Sequence, residues 1–431
     1  MQKLIPVVLL LIFLFPLNAE AEELIKKDES LNLERCIEIA IKKHPNIIAA
    51  ANTVDINQSR IGQSKANYYP QLSWISGYSK FNALAGSRDQ VVVTTDRTLE
   101  EYSSSVNLNQ TIFDFGKTAT NVNIQRLNLY SSRSDFENVT DQIIFNVKQA
   151  YYGVLQAKRN RDVAAETVKQ YELHLEQAKG FFQVGTKPKF DVTKAEVDLS
   201  NAKLNLIKAE NALRVARVTL NNAMGITVAP EYYLVDNLTF KKYEIQFEKA
   251  LGMAYANRPD LRSIIAKKEA AGESIELAKK DYYPTLSGNA SYNWAGRTVT
   301  SLDNGWNVGA TLTFPLFSGF LTKYQVEESK ANLNVLKANE ESLRQSVLLE
   351  VQQAYLNLHD AEERIPTAEI AVRQAEENLD IANGRYAAGV GNPIEVTDAQ
   401  VAYTSAKTSY IQALYDYKVA QASLEKAMGV K

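Results

Sequence analysis

Two runs in the second half of the chain alternate apolar with small polar residues. Side chains of alternating polarity with a period of two are typical of a β-strand with one apolar and one polar face. The runs are separated by Gly296 to Gly305, which we interpret as a connecting loop, so residues 284–317 are predicted to form a hairpin. Its apolar face is formed by Leu286, Ala290, Tyr292, Trp294, Trp306, Val308, Ala310, Leu312 and Phe314.

A second hairpin is predicted in the first half, over residues 70–113. Its pattern is looser, with the same alternation in two runs. The residues predicted to share its apolar face are Leu72, Trp74, Tyr78, Val106, Leu108 and Ile112.

Each hairpin is followed by a very long helical pattern. Residues 116–182 and 319–387 contain Pro366 as their only proline, which predicts a kink there. At 1.5 Å per residue, each helix would reach about 100 Å. Each is predicted to turn at a glycine and return as a second helix, over residues 190–224 and 393–429. The chain is therefore predicted to be mainly α-helical with a small β part.

The whole arrangement is duplicated. Tyr68-Tyr69-Pro70 recurs as Tyr282-Tyr283-Pro284, an offset of 214 (282 − 68), whereas Ala223-Met224-Gly225 recurs 204 residues later (427 − 223). The difference of ten falls within the first hairpin, where Asn82 to Arg97 is predicted to be a longer loop. We divide the mature chain into a first repeat (22–225), a linker (226–246) and a second repeat (247–431).

The apolar faces favour strands that cross a membrane. The sequence offers no other strand-rich segment to cover these faces, and outward-apolar strands of about ten residues are typical of a transmembrane β-barrel. Four strands cannot close a barrel, so several chains must share one. The alternative is two ordinary surface hairpins on a helical protein. The residues predicted to face lipid are Trp74, Tyr78, Tyr292, Trp294, Trp306 and Leu312.

The first 21 residues indicate export. Lys3 precedes an apolar run, and Ala19-Glu20-Ala21 matches a signal-peptidase site. A net charge of −2 argues against nucleic acid as a partner. The single cysteine, Cys36, excludes an intrachain disulfide, and no role is assigned to it.

Candidate chemistry is sparse. The three histidines, His44, His174 and His359, stand alone in helical stretches without metal-ligand spacing. No phosphate-binding loop is present, and we predict neither a cofactor nor a metal nor enzymatic activity. A non-transport alternative is a secreted trimeric helical stalk or adhesin. The outward aromatic residues argue against it, because a stalk has no need of them.

These features together resemble the TolC-type outer-membrane efflux family. The resemblance is carried by the signal peptide, the duplicated helix–hairpin–helix unit, and tips such as Arg385-Tyr386-x-x-Gly389. It implies a homotrimer whose twelve strands form one barrel in outer-membrane lipid, continued by an α-barrel tunnel across the periplasm. It also implies a periplasmic adaptor and an inner-membrane pump or ABC transporter. Drug efflux, metal export and type I protein secretion all use this scaffold.

The resemblance also implies functional sites. Glu395 and Asp398 match acidic positions that line the periplasmic aperture, and Tyr386 and Arg385 lie beside it, with Tyr386 predicted to hydrogen-bond across the opening. The family's basic locking residue falls at Gly391, for which Arg385 or Lys187 are candidate substitutes. The predicted adaptor-docking tips are Val184, Gly185 and Thr186, and Ala388, Gly389 and Val390. A glycine C-cap explains the same tip residues without docking.

Overall fold

The computed structural model describes residues 25–82 and 98–430. The predicted signal peptide and most of the predicted Asn82–Arg97 loop lie outside these ranges. The elements, in chain order, are β1 (Ser30–Leu31), α1 (Leu33–Lys43), α2 (Pro45–Lys65), β2 (Gln71–Asn82), β3 (Thr98–Phe113), α3 (Lys117–Gln183), α4 (Lys189–Ala223), β4 (Tyr233–Leu234), α5 (Phe247–Asn257), α6 (Pro259–Lys279), β5 (Thr285–Thr298), β6 (Ser301–Thr313), α7 (Leu321–Ala387) and α8 (Pro393–Ala427).

The two repeats have matching helices. Helices α3 and α7 each contain 67 residues, and α4 and α8 each contain 35. Helix α7 continues through Pro366, so the proline does not divide it. None of the described helices combines the length and the apolarity that a membrane-crossing helix needs.

The long helices begin where the sheet ends. After β3 the chain turns through Phe115 (φ 52°) and Gly116 (φ 78°), and after β6 it turns through Gly319 (φ 63°) and Phe320 (φ 66°). These left-handed residues direct each strand into a helix that carries the chain about 100 Å from the sheet. The connections at residues 184–188 and 388–392, here called the first tip and the second tip, therefore lie at the far end of the molecule.

The shorter helices meet half-way along the long ones. Helix α4 ends at a left-handed Gly225 (φ 74°), and a Cβ there would lie 2.6 Å from the Cα of His44, at the α1–α2 junction. Gly429 approaches Arg258, at the α5–α6 junction, in the same manner. Glycine is required at both positions because the backbones touch. The largest hydrophobic core surrounds this level and includes Leu155 and Tyr417.

The 226–246 linker contains a strand that sequence reasoning missed. Strand β4 pairs with β1 in parallel, Ser30 opposite Tyr233 and Leu31 opposite Leu234. The linker is also bound to the long helices: Tyr151 Oη donates to the Val235 carbonyl (2.6 Å), and Tyr417 Oη donates to the Lys241 carbonyl (2.7 Å). Strands of two residues carry no alternating pattern, so periodicity could not reveal them.

The other four strands form one antiparallel sheet in the order β2-β3-β5-β6. The predicted Gly296–Gly305 loop is wrong: β5 and β6 continue to Thr298 and Ser301, and only two residues connect them. A Cβ on Gly296 would lie 2.1 Å from the Ser301 carbonyl oxygen, next to a bulge between Ala295 and Thr298. The glycine therefore permits a close backbone approach within the hairpin instead of marking a turn.

Candidate pore wall and tip gate

Most apolar residues of the four strands lie on one face of the sheet, and Ile75 and Phe81 of β2 lie on the other. Register pairs Leu72 with Leu108 and Tyr292 with Trp306, and also brings Val106 opposite Tyr292. The residues predicted to face lipid all belong to this face. The side chains of Trp74, Tyr78, Tyr292, Trp306 and Leu312 are exposed, and Trp294 is half-buried against the Tyr292 ring at 4.6 Å.

The apolar band has a defined height. In β5 it extends from Leu286 to Trp294, nine residues that span about 27 Å at 3.4 Å per step. Strands of an outer-membrane barrel are tilted by about 35–45°, so this length corresponds to about 20 Å along the membrane normal, close to the apolar band of about 25 Å in such barrels. On the same face, Lys80 pairs with Glu100 at 2.9 Å, two residues beyond Tyr78. The ion pair marks the end of the band in the first hairpin, and sequence reasoning did not identify it.

The opposite face carries mostly small uncharged polar groups. It is formed by hydroxyl and amide side chains that can line a water-filled passage, and Asn107 Nδ2 donates to Ser105 Oγ at 3.0 Å. The residues of this face include Ser73, Ser105, Asn107, Asn109, Ser287, Asn289, Ser291, Asn293, Asn307, Thr311 and Thr313.

Both tips have the same backbone structure. Gly185 (φ 76°) and Gly389 (φ 79°) are left-handed, and each follows a long helix. Thr186 N–H donates to the Phe181 carbonyl and Val390 N–H donates to the Arg385 carbonyl, the long-range bond of a Schellman C-cap. The glycines thus end the helices. The caps also leave apolar Val184 and Val390 about 70% exposed, at 72% and 71%.

The acidic pair is exposed at the start of α8. Asn392 caps this helix by accepting from Ile394 N–H at 3.0 Å, and Glu395 and Asp398 follow on one face. Arg385, at the end of α7, pairs with Glu395 at 3.2 Å. Arg385 therefore lies next to Glu395, one of the two predicted aperture carboxylates.

Tyr386 lies inside the chain instead of at an opening. It is fully buried, and its ring lies 4.7 Å from the His174 ring and 5.6 Å from the Phe181 ring. Among the described residues its hydroxyl has no hydrogen-bond partner. A hydrogen bond from Tyr386 across the aperture stays a prediction. Burial raises the pKa of the phenol, and the Asp191 carboxylate adds to this effect.

Two side chains near the tips were not identified correctly from sequence. Asp198 is 8% exposed and accepts a hydrogen bond from Thr397 Oγ1 at 2.8 Å, which joins α4 to α8. Lys187 was only one of two candidate substitutes, and its Nζ donates to the Gly391 carbonyl at 3.0 Å. Both contacts join residues about 200 positions apart, so no local pattern announces them.

Known proteins share this arrangement. A family model described as outer membrane efflux protein matches residues 36–226 and 250–430, which covers both repeats. The chain belongs to the outer membrane efflux protein family. The TolC outer membrane protein of Escherichia coli K12 is 26% identical over 454 residues, covering 100% of this chain and 87% of that relative.

Two solved outer-membrane proteins have the same fold. The CmeC outer membrane channel of Campylobacter jejuni superimposes with a TM-score of 0.81 at 17% identity, covering 92% of this chain and 85% of that one. VceC, an outer membrane protein of Vibrio cholerae, gives a TM-score of 0.77 at 18% identity, with 92% and 96% covered.

Membership in the family defines the class of protein. The chain is an outer-membrane efflux channel whose helices extend into the periplasm, and its family is one of channels and not of enzymes. The family assignment favours this function over the secreted stalk that the sequence left as an alternative. The recognition of the family from the duplicated pattern and the tip motifs is confirmed.

Proposed function

We propose that three copies of this chain close one twelve-stranded barrel and one helical tunnel. The observation that carries the proposal is the open sheet, in which β2 and β6 each pair on one side only within the described part of the chain. Unpaired strand edges find no water in lipid, so each edge requires a partner strand. Antiparallel pairing of β2 with β6 of the next copy removes every edge at three copies.

The exposed helices support the same assembly. Helices α4 and α7 carry apolar side chains that no other part of the described chain covers, among them Leu204, Val218, Val335 and Leu356. In a closed ring, α4 of one copy lies against α7 of the next. Burial of apolar surface at roughly 25 cal/mol per Å² then holds the copies together.

The channel is a passive duct that receives its cargo from partners. An inner-membrane pump or ABC transporter delivers the cargo, and a periplasmic adaptor contacts the two tips. Val184, Gly185 and Thr186 form one contact site, and Ala388, Gly389 and Val390 form the other. The two exposed valines provide the apolar anchor that such an interface needs.

The gate lies at the start of α8, next to the second tip. Three copies place six carboxylates, those of Glu395 and Asp398, around one axis, where they attract cations. Arg385 holds Glu395 in position. Tyr386 packs the end of α7, which carries Arg385, against α3 through its buried ring contacts.

Two measurements test these proposals. Detergent-extracted protein should have the mass of a trimer, and a stable monomer would refute the shared barrel. In planar bilayers, Glu395→Gln combined with Asp398→Asn should lower cation selectivity. The control, Glu369→Gln with Glu377→Gln, removes the same charge from exposed positions on α7. Equal selectivity of the two double variants would contradict the carboxylate ring.

A further inference from the structure

Strand β4 fills a groove between β1 and α3, here called the first groove. The N–H groups of Tyr233 and Val235 donate to the carbonyls of Glu29 and Leu31, at 2.9 and 3.0 Å. From the other side, Tyr151 Oη on α3 donates to the Val235 carbonyl at 2.6 Å. The first repeat therefore holds an extended segment through backbone hydrogen bonds and one phenol.

The second repeat has an equivalent groove that no strand fills. Ile245 is the equivalent of Leu31 (245 − 31 = 214), and Tyr355 on α7 is the equivalent of Tyr151 (355 − 151 = 204). A cavity of about 450 Å³ is lined by both, and we call it the second groove. Leu31 and Tyr151 are 0% exposed beside β4, whereas Ile245 and Tyr355 are only half-buried.

The polar groups that would hold a strand in the second groove are unused. The carbonyls of Tyr243 and Ile245, equivalent to those of Glu29 and Leu31, accept no hydrogen bond within the described chain, and the Tyr355 hydroxyl makes none there. Unpaired backbone groups beside a groove are what an added strand binds to, because main-chain hydrogen bonds supply affinity and side-chain pockets supply specificity.

The two grooves have opposite charge at one end. In the first groove, Asp236 pairs with Arg159 at 2.8 Å, next to Lys158 in the sequence. The equivalents of Arg159 and Lys158 are Glu363 and Glu362 (363 − 159 = 204; 362 − 158 = 204). A copy of β4 would place the Asp236 carboxylate against two others, so the second groove fits a segment with a basic residue at this position.

We propose that the second groove binds an extended segment of a separate periplasmic protein, parallel to residues 244–245. The segment carries an apolar residue followed two positions later by lysine or arginine, because in β4 Leu234 lies opposite Leu31 and Asp236 comes two residues later. Its N–H groups donate to the Tyr243 and Ile245 carbonyls. The groove lies within one chain, at a distance from both tips, so the proposal does not depend on the proposed gate.

Peptide binding to the full-length, detergent-solubilised protein tests the charge preference. The probe is a fluorescent peptide of residues 231–238 carrying Asp236→Lys, and the control is the same peptide without the substitution. By fluorescence anisotropy, the lysine peptide should bind about tenfold more tightly, since an ion pair replaces a repulsion. Equal affinity of the two peptides, or binding of neither, would overturn the proposal.

Variants of α7 locate the binding in the second groove. Tyr355→Phe removes only a hydroxyl and should weaken the lysine peptide about fivefold, the effect of losing one hydrogen bond. Tyr324→Phe, at an exposed tyrosine of the same helix, is its control and should change nothing. Glu362→Gln with Glu363→Gln should abolish the preference for lysine. If Tyr355→Phe and Tyr324→Phe bind the peptide equally, the second groove is not the site.

A photo-crosslinking amino acid at Ile245 identifies the natural occupant in intact cells. The captured segment, mapped by mass spectrometry, should come from another protein and contain an apolar residue two positions before lysine or arginine. The same probe at Leu31, which β4 already covers, should react only within the chain. Capture of a second copy of this chain, or of a segment without the pattern, would overturn the proposal.

Discussion

The two repeats have helices of equal length but very different surroundings. Helix α3 buries 23 of its 67 residues and α7 only 10 of 67, whereas α4 buries 5 of 35 and α8 buries 13 of 35. Helix α3 lies against α2, α4, α6 and α8, whereas α7 lies mainly against α8 and α6. Equivalent helices of the two repeats therefore differ in burial: α3 and α8 are the more buried, and α4 and α7 are the more exposed. We propose that the exposed helices α4 and α7 contact neighbouring copies.

The sheet differs from the helices in this respect, because its two hairpins present one continuous apolar face. Leu108, in the first hairpin, and Val308, in the second, both lie opposite Ala290, in the middle of that face. We expect Leu108→Arg and Val308→Arg to abolish assembly equally, since a cation at mid-bilayer depth costs about 2–4 kcal/mol in each copy. Thr311→Arg, on the polar face, should assemble. Trimer yield in outer-membrane fractions measures this, and loss for only one of the two apolar positions would break the equivalence.

The α1–α2 and α5–α6 junctions are expected to contribute differently to the free energy of unfolding, and this effect should be smaller than that of the substitutions in the sheet. Arg258, equivalent to His44 (258 − 44 = 214), is 8% exposed and pairs with Asp260 and Glu350, both at 2.6 Å. Arg258→Met should lower the free energy of unfolding by about 3 kcal/mol, because it removes the cation from a largely buried pair.

His44 has the simpler role of capping α2, where its Nδ1 accepts from Asn46 N–H at 3.2 Å. His44→Gln should therefore cost about 1 kcal/mol or less. Denaturant unfolding compares the two variants, and equal losses would show that the junctions are energetically equivalent despite their different contacts.

The tips allow a smaller test of the same asymmetry. Gly391→Ala should destabilise the protein by about 1–3 kcal/mol, because the added Cβ meets backbone atoms of Tyr386 and Arg385. Gly384→Ala lies within α7 with open space around the new Cβ, and should stabilise by up to about 1 kcal/mol. Thermal unfolding measures both, and faster amide exchange at residues 388–392 is expected only for Gly391→Ala.

The smallest expected effect is a pH dependence of the stability, caused by His174 near the C-terminal end of α3. Burial lowers the pKa of His174, against the opposing influence of the Asp198 and Asp191 carboxylates and with a contribution from Lys194. The unfolded chain then binds more protons below the usual histidine pKa, so stability should fall as pH drops from about 7 to 5. His174→Phe keeps the aromatic contact with Tyr386 and should flatten this part of the profile. An unchanged slope would assign the dependence to another group.

Long-range periodicity was sufficient for most of the fold. The long helices were predicted to within about two residues at their ends, because their patterns are long and are bounded by glycine or proline. The common apolar face of the four strands also followed from alternation alone. The β5–β6 turn was wrong because Gly296 permits a close approach that resembles a loop signal. Strands β1 and β4 were too short to show any period.

The sequence by itself determined the duplication, the strands with alternating polarity, the long helices, and the apolar face of the sheet that needs a membrane. These properties are local or repeat at a fixed offset, so the order of residues along the chain is enough to detect them. Only the tertiary structure decided which copy of each helix is buried and which is exposed, that Tyr386 is buried, that Lys187 contacts the second tip, and that Asp198 contacts α8. Those facts depend on contacts between residues about 200 positions apart. Such contacts depend on packing in three dimensions, and they produce no periodic pattern in the sequence.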